Sequence, residues 1–529
     1  MGSIDRRCSN KDRGIITVPG RSGARRFVVV TAPPPASAWS PLRRPLFRSL
    51  WIADVASNIG TWMHDAAAAW LMTLLVPSPL LVSLVQAATT LPLFLLALPA
   101  GALADIFDRR RILLIAQVWW FLTTALLGVL TITGVIQPWM LLVITLAIGT
   151  GSAIDLPAWQ ALIPETVPRE ELPAAVGLGS IAINIARAIG PALAGVIIVA
   201  GGPGPVFLVN AVSVLGVFFV LWRWRRKPVR TTLPAERLAS AMRAGVRYVR
   251  FAPALRTVVV RTAAFVGFAS ALWALLPLVV RVSLSRGPVS YGALVGSLGL
   301  GGLLGASLLP TWRKRWSTDA ITAVATAAFA LGCLSLAWVR AFPLLIGAMV
   351  IAGAGWLTTL SSLILAAQRG AAEWVRGRAL SISTLTLFGS LAIGALLWGI
   401  VATRASTQWA LTGAGIALLL GLALIPRFRL AVAEAGNLEH SQNWPDPVVA
   451  GNLDAEAGPV LVTVEYIVQV DQRAGVECWL VESWAEHLRQ HDRTTQSDRE
   501  VEERIRTLVV GRERTTHYIA LSPTGDSTA

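Results

Sequence analysis

Between Leu50 and Leu424 the chain repeats one pattern twelve times, an apolar run of roughly the ~20 residues a helix needs to cross the hydrocarbon core of a bilayer. Runs of this length leave little choice of secondary structure, because in lipid a single segment satisfies its own backbone polar groups only as a helix. The loops between the runs set the orientation. Arg109-Arg110-Arg111, Arg169, the arginines of 223–250, Arg313-Lys314-Arg315 and the group Arg369, Arg376 and Arg378 fall in alternate loops, and the remaining loops hold Arg281, Arg286, Arg340 and Arg404. Since Lys and Arg accumulate on the cytoplasmic side, the first set, both termini and the long central loop are expected there. The alternation also supports twelve spans, because one missed or invented span would mix the two sets.

The second six runs look like a copy of the first. Gly101-Ala102 followed by the triplet Arg109-Arg110-Arg111 returns as Gly305-Ala306 followed by Arg313-Lys314-Arg315, while Asp105 and Asp108 have become Leu309 and Trp312. Whatever those two acids do is therefore done once. The composition agrees: 54% of the 529 residues are hydrophobic and 14% charged, against about 25% charged in soluble proteins. The formal charge of +16 sits in arginines that flank apolar spans and are not interleaved with aromatics, which argues against a nucleic-acid partner. Cys8, Cys333 and Cys478 lie too far apart in sequence to suggest a disulfide framework or a zinc site.

These observations divide the chain. Residues 1–49, arginine-rich and broken by Pro33-Pro34-Pro35, read as a disordered basic cytoplasmic arm. Residues 50–222 form a first six-helix half, 223–254 a cytoplasmic central loop and 255–425 a second six-helix half. Within the central loop, Pro234–Arg250 has the spacing of a helix with one apolar stripe, lying on the inner leaflet or serving as a solvated linker. Residues 426–458 read as a linker rich in Pro, Asn and Gly. The tail, 459–529, reads as a small cytoplasmic α+β appendage, with strands in Pro459–Val468, Val476–Val481 and Thr515–Leu521 and a polar helix from Ser483 to about Arg506.

Twelve spans in two halves, with an acid and arginines between the second and third, resemble the major facilitator superfamily. Gly101, Asp105, Arg109 and Arg110 match its loop motif, while Ile106 and Asp108 depart from it. The stretches Ser57-Asn58-Ile59-Gly60-Thr61-Trp62-Met63, Pro157 to Glu165, Asn184 to Pro191 and Trp374 to Ala379 resemble the transmembrane secretion effectors, the enterobactin-exporter-like branch of bacterial exporters. The resemblance covers about residues 39–425. Val481 to His491 is similar to a C-terminal extension of some members, itself related to ferredoxin-like domains; here the interval before Val476 leaves no room for that fold's first helix.

The resemblance implies alternating access to a midplane site between the halves, with Asp105 holding the outward-facing state against the start of the eleventh span and Arg376 and Arg378 adding an ion pair. The alternative for Arg109 and Arg110 is that they only set topology. Charges inside spans are costly and mark function or structure. Asp65, midway along the first span beside His64, is the first candidate for proton coupling, with a structural hydrogen bond between helices as the alternative; Asn58 on the same span is a further candidate for contact with substrate. Asp155, near Pro157, either functions or satisfies a loosened turn. Asn184 and Arg187 are placed on one helical face, where Arg187 attracts an anionic substrate or pairs with Asp155 or Asp65. Gly190, Pro191 and Gly195 resemble the fifth-span motif of proton-driven antiporters, and small residues at that spacing also let helices pack closely.

No phosphate-binding loop or catalytic signature is evident, and His487 and His491, one turn apart on a polar helix, read as solvated rather than metal-binding. The expectation is a multi-pass transporter of a bacterial inner membrane, a monomer without cofactor or metal. It would export a small molecule in exchange for protons. Uptake by symport, and a membrane-anchored enzyme acting through the tail, are the alternatives.

Overall fold

The computed structural model of the protein describes residues 13–19, 25–31, 37–224, 252–371, 376–430, 460–465, 476–481 and 514–519, with positions 484, 487, 499, 502 and 503. Among the described residues, twelve long helices are found where the apolar runs lie. The first half consists of α1 (Pro45–Leu75), α2 (Pro79–Ile106), α3 (Arg109–Ile132), α4 (Pro138–Thr166), α5 (Leu172–Gly201) and α6 (Gly204–Arg223). The second consists of α7 (Pro253–Leu278), α8 (Pro288–Trp312), α9 (Thr318–Trp338), α10 (Phe342–Arg369), α11 (Arg376–Arg404) and α12 (Thr407–Gly421). All but α1 are long and apolar enough by composition to cross a membrane; α1 carries Asp54 and Asp65 within its 31 residues. Proline opens α1, α2, α4, α7 and α8, a position where its fixed φ suits the first turn and its missing N–H costs nothing. Asp108 caps α3 through the amides of Arg110 and Arg111, and Ser317 and Ser406 cap α9 and α12.

The packing is a duplication. In the first half α1 packs on α5 and α6, α2 on α4, and α3 on α4 and α6; in the second, α7 packs on α11 and α12, α8 on α10, and α9 on α10 and α12. The halves meet chiefly through two pairs, α2 with α11 and α5 with α8, with lesser contacts of α7 with α1 and α2. Exchanging the halves converts one pair into the other, as a pseudo-two-fold axis between repeats requires. Around the bundle Ile115, Leu122, Val143, Val199, Val212, Leu344 and Leu420 are exposed, an apolar outer surface suited to lipid rather than water.

The core is continuous across the halves at one end only. Its largest cluster joins Met63–Met72 and Val82–Ala87 of the first half to Phe265–Val280, Tyr291–Leu298 and Leu391–Ala402 of the second. At the end carrying the basic loops the clusters are separate: Leu50, Leu113, Leu162 and Leu221 belong to the first half, and Leu255, Leu363, Ala367 and Ala379 to the second. The halves are thus closed together at the end with only four loop arginines, neutral by comparison, and parted at the basic end.

Three expectations need correction. The N-terminal arm contains an antiparallel pair of strands, β1 (Arg13–Pro19) with β2 (Arg25–Thr31), because Ile15, Ile16, Val18 and Val28–Val30 are β-formers on either side of the sequence Gly20-Arg21-Ser22-Gly23; a 3₁₀ turn (Ser40–Arg43) then leads into α1 before Leu50. The linker begins later than 426, since Leu430 is buried and its amide donates to both carboxylate oxygens of Asp319 at 3.2 Å. His487 is not solvated. It is 1% exposed and stacks near Trp484 at 5.3 Å, because residues 484 and 487 lie one turn apart and Trp484 joins the sheet core of Val460, Val462 and Val481. That sheet is β4 (Val476–Val481), β3 (Val460–Glu465) and β5 (Arg514–Ile519) in this order, both pairings antiparallel. The helix expected over Pro234–Arg250 lies outside the described residues.

Candidate functional site

Between the halves lies a cavity of about 340 Å³. On α1, Trp62, Asp65, Ala66 and Ala69 face it, and on α2, Val82, Val85, Gln86, Thr89 and Thr90; both sets follow the i, i+3, i+4, i+7 spacing of a single helical face. Arg187 and Pro191 complete the first half's wall. The second half supplies Trp273, Tyr291, Trp356, Leu360 and Phe388.

Two charges stand in this cavity without an ionic partner. Asp65 has neither a hydrogen bond nor an ion pair among the described residues. Arg187 lies with its Cζ 4.9 Å from the centroid of the Trp62 ring, and its Nε and Nη1 are buried without an acceptor. Arg187 therefore pairs with neither Asp65 nor Asp155, against one of the sequence expectations, because Trp62 holds its guanidinium by a cation–π contact. Trp273 Nε1 is a third buried donor with no acceptor, and its ring lies 6.5 Å from Trp62 and 5.5 Å from Trp356.

The other span residues stand elsewhere. Asn58 donates its side-chain amide to the carbonyl and carboxylate of Asp54 at 2.8 and 2.9 Å. Asp155 accepts from Gln117 Nε2 at 3.1 Å, and Asn184 turns back onto the carbonyl of Ser180 at 2.8 Å. His64 is buried edge-on to Phe207 at 4.9 Å. None of these lines the cavity.

The small-residue motif of α5 serves two neighbours. A Cβ on Gly190 would meet Trp62 and Ile59 of α1, and one on Gly195 would meet the backbone of Pro288 and Val289 on α8. From α8, Gly292 faces the carbonyl of Pro191, and Gly296 and Gly299 face Ala188. In the loop motif, Arg109 Nη1 donates to Glu165 Oε1 at 2.8 Å and to the carbonyl of Ala161 at 3.2 Å. Arg110 donates to the carbonyls of Leu221 and Trp222 at 2.7 and 2.6 Å. These bonds tie the start of α3 to the ends of α4 and α6. Gly101 and Asp105 lie in the last turns of α2, and Arg376 and Arg378 in the first turn of α11; the side chains of Asp105, Arg376 and Arg378 lie outside the described residues.

Sequence reasoning did not select Gln86, Trp273, Tyr291, Trp356 or Glu165. The polar face of α2 could have been found from Gln86, Thr89 and Thr90 on one stripe of an otherwise apolar run. The tryptophans carried no such signal, since an aromatic in an apolar span reads equally as packing.

At the neutral end the cavity is sealed. Trp70 of α1 stacks on Tyr291 of α8 at 5.7 Å and 23°. Arg281, in a π-helical turn (Val279–Ser283) that continues α7, donates to the carbonyl of Thr73 on α1.

Comparison with known proteins places this geometry. A family model described as transmembrane secretion effector matches residues 36–475 and 469–524. The MFS-type transporter YfiS of Bacillus subtilis is 30% identical over 41% of this chain and 53% of its own length, so this chain spans about half of that relative. The multidrug efflux pump Tap of Mycolicibacterium fortuitum is 26% identical over 73% of this chain and 97% of its own. The enterobactin exporter EntS of Salmonella typhimurium is 24% identical over 74% and 96%. Among solved structures, a bacterial homologue of the lysosomal transporter Spinster, in an inward-facing conformation, superposes with a TM-score of 0.57 at 14% identity over 74% of this chain and 97% of that one, a likeness of fold.

Proposed function

The chain belongs to the transmembrane secretion effector family, within the major facilitator transporters, and from that membership we propose that it exports a small molecule across a bacterial inner membrane in exchange for protons. The observation that carries the proposal is the partnerless carboxylate of Asp65 in a cavity between two repeated halves that part at the basic end. With the basic loops and both termini in the cytoplasm, this is the inward-facing state, and cargo enters from the cell interior. Ionised Asp65 accepts a hydrogen bond from a donor group of the cargo. A proton arriving from the opposite side neutralises it and weakens that acceptor, so cargo and proton compete for one carboxylate, as antiport requires. Rocking of the halves about the α2–α11 and α5–α8 contacts carries the site across.

Relatives named for drug and siderophore efflux support export over uptake. A growth screen of an efflux-deficient host expressing the chain, across siderophores and antibiotics, should yield protected compounds. Everted membrane vesicles energised to an acidic interior should then accumulate such a compound; no accumulation, or loss of preloaded compound under that gradient, would overturn the export direction.

A further inference from the structure

Two residues of the cavity wall carry unused hydrogen-bonding groups, and these describe a cargo. Arg187 Nε, Arg187 Nη1 and Trp273 Nε1 are all buried, all without acceptors, and all donors. A buried donor left unsatisfied is expensive, and a guanidinium more so than an indole. Arg187 comes from the first half and Trp273 from the second; both line the same cavity, and each lies beside the Trp62 ring. Around these donors the walls hold four aromatic side chains, Trp62, Trp273, Trp356 and Phe388, a lining suited to planar rings. Among the described residues nothing fills the acceptor role, since Asp65 forms no ion pair with Arg187.

We infer that the cargo is an aromatic anion, a planar ring system bearing a carboxylate or phenolate, whose oxygens take the unpaired N–H groups of Arg187 and the indole N–H of Trp273 while its ring stacks against the tryptophans. This rests on the cavity being the transport site and specifies what it carries. Because the two donors belong to opposite halves, the anion also joins them, and its own donor groups remain available to Asp65.

Equilibrium binding to the purified full-length protein in lipid nanodiscs tests the assignment with three probes that share one ring: 1-naphthoate, 1-naphthamide and 1-naphthylmethylammonium. The naphthoate should bind at least about tenfold more tightly than either of the others, the scale of a charge-assisted hydrogen bond. Arg187→Gln should bring naphthoate down to the affinity of the amide, leaving the amide's own affinity within about twofold, whereas Arg187→Lys should keep part of the preference. Trp273→Phe, which keeps an aromatic ring and removes the donor, should weaken naphthoate several-fold and serves if the arginine variants do not fold. Tighter binding of the ammonium, a naphthoate preference that survives Arg187→Gln or that Trp273→Phe leaves intact, or no binding of any probe at millimolar concentration would each overturn the inference. Binding needs no gradient, so failure here leaves the export reading standing, and failure of vesicle transport leaves this one standing.

Discussion

Asp65 and Arg187 face one cavity, yet each is unpaired there for its own reason. Arg187 is occupied by the Trp62 face, and Asp65, one turn along α1 from Trp62, reaches no donor. Replacing the carboxylate with an amide of the same shape should leave folding intact and remove the titratable group. Asp65→Asn is expected to abolish efflux driven by a proton gradient while cargo counterflow, which needs no net proton movement, continues at the same membrane level of protein; full gradient-driven efflux in that variant would take Asp65 out of the mechanism. Both charges were legible in the sequence because an ion inside an apolar run is too costly to be there without a use. Their lack of partners was not, because it depends on which way α1, α4 and α5 are rotated. The same rotation sends Asn58, Asp155 and Asn184 onto local backbone or neighbouring amides and away from the cavity.

At the scale of elements, α8 and α10 approach closely through glycines meeting backbone. A Cβ on Gly301 of α8 would run into the carbonyl of Val350 on α10, and one on Gly353 of α10 into the carbonyl of Leu298 on α8, whereas Gly347, on the same helix as Gly353, has nothing nearby. Gly301→Ala should therefore destabilise the protein by about 1–3 kcal/mol through overpacking. Gly347→Ala should be neutral or slightly stabilising through helix propensity. Thermal unfolding of the purified variants distinguishes the two, and equal melting points would refute the close approach of α8 to α10. The limits of the helices were largely readable, since prolines open them and basic loops close them. The β1–β2 pair was missed because its short apolar strands are set among arginines that suggest an unstructured arm. The fixing of Leu430 by Asp319 was unreadable because it joins positions far apart in sequence.

For the whole molecule, the parted cores at the basic end and the shared core at the neutral end define one of two states. To reach the other, the protein must break the Arg281–Thr73 bond and separate Trp70 from Tyr291. Arg281→Ala removes a charge-assisted bond, so it should raise the population open at the neutral end by about tenfold or more. With native cysteines replaced and a cysteine placed at Ala69 in the cavity, labelling by an impermeant maleimide from outside whole cells should quicken accordingly; an unchanged rate would show that Arg281 does not hold that end shut. The C-terminal sheet has its own small core, so removal of residues 459–529 should leave transport intact, measured in the same vesicles.

The seam between α5 and α8 has a mechanical corollary. Gly195, Gly292, Gly296 and Gly299 put backbone against backbone where most helix pairs interlock knobs and grooves. In the proposed cycle a surface without teeth works as a bearing: where glycine meets backbone, α5 and α8 have no interlocked side chains to disengage as they turn. The pace of the cycle is then left to the latch at Arg281 and to whatever occupies the cavity.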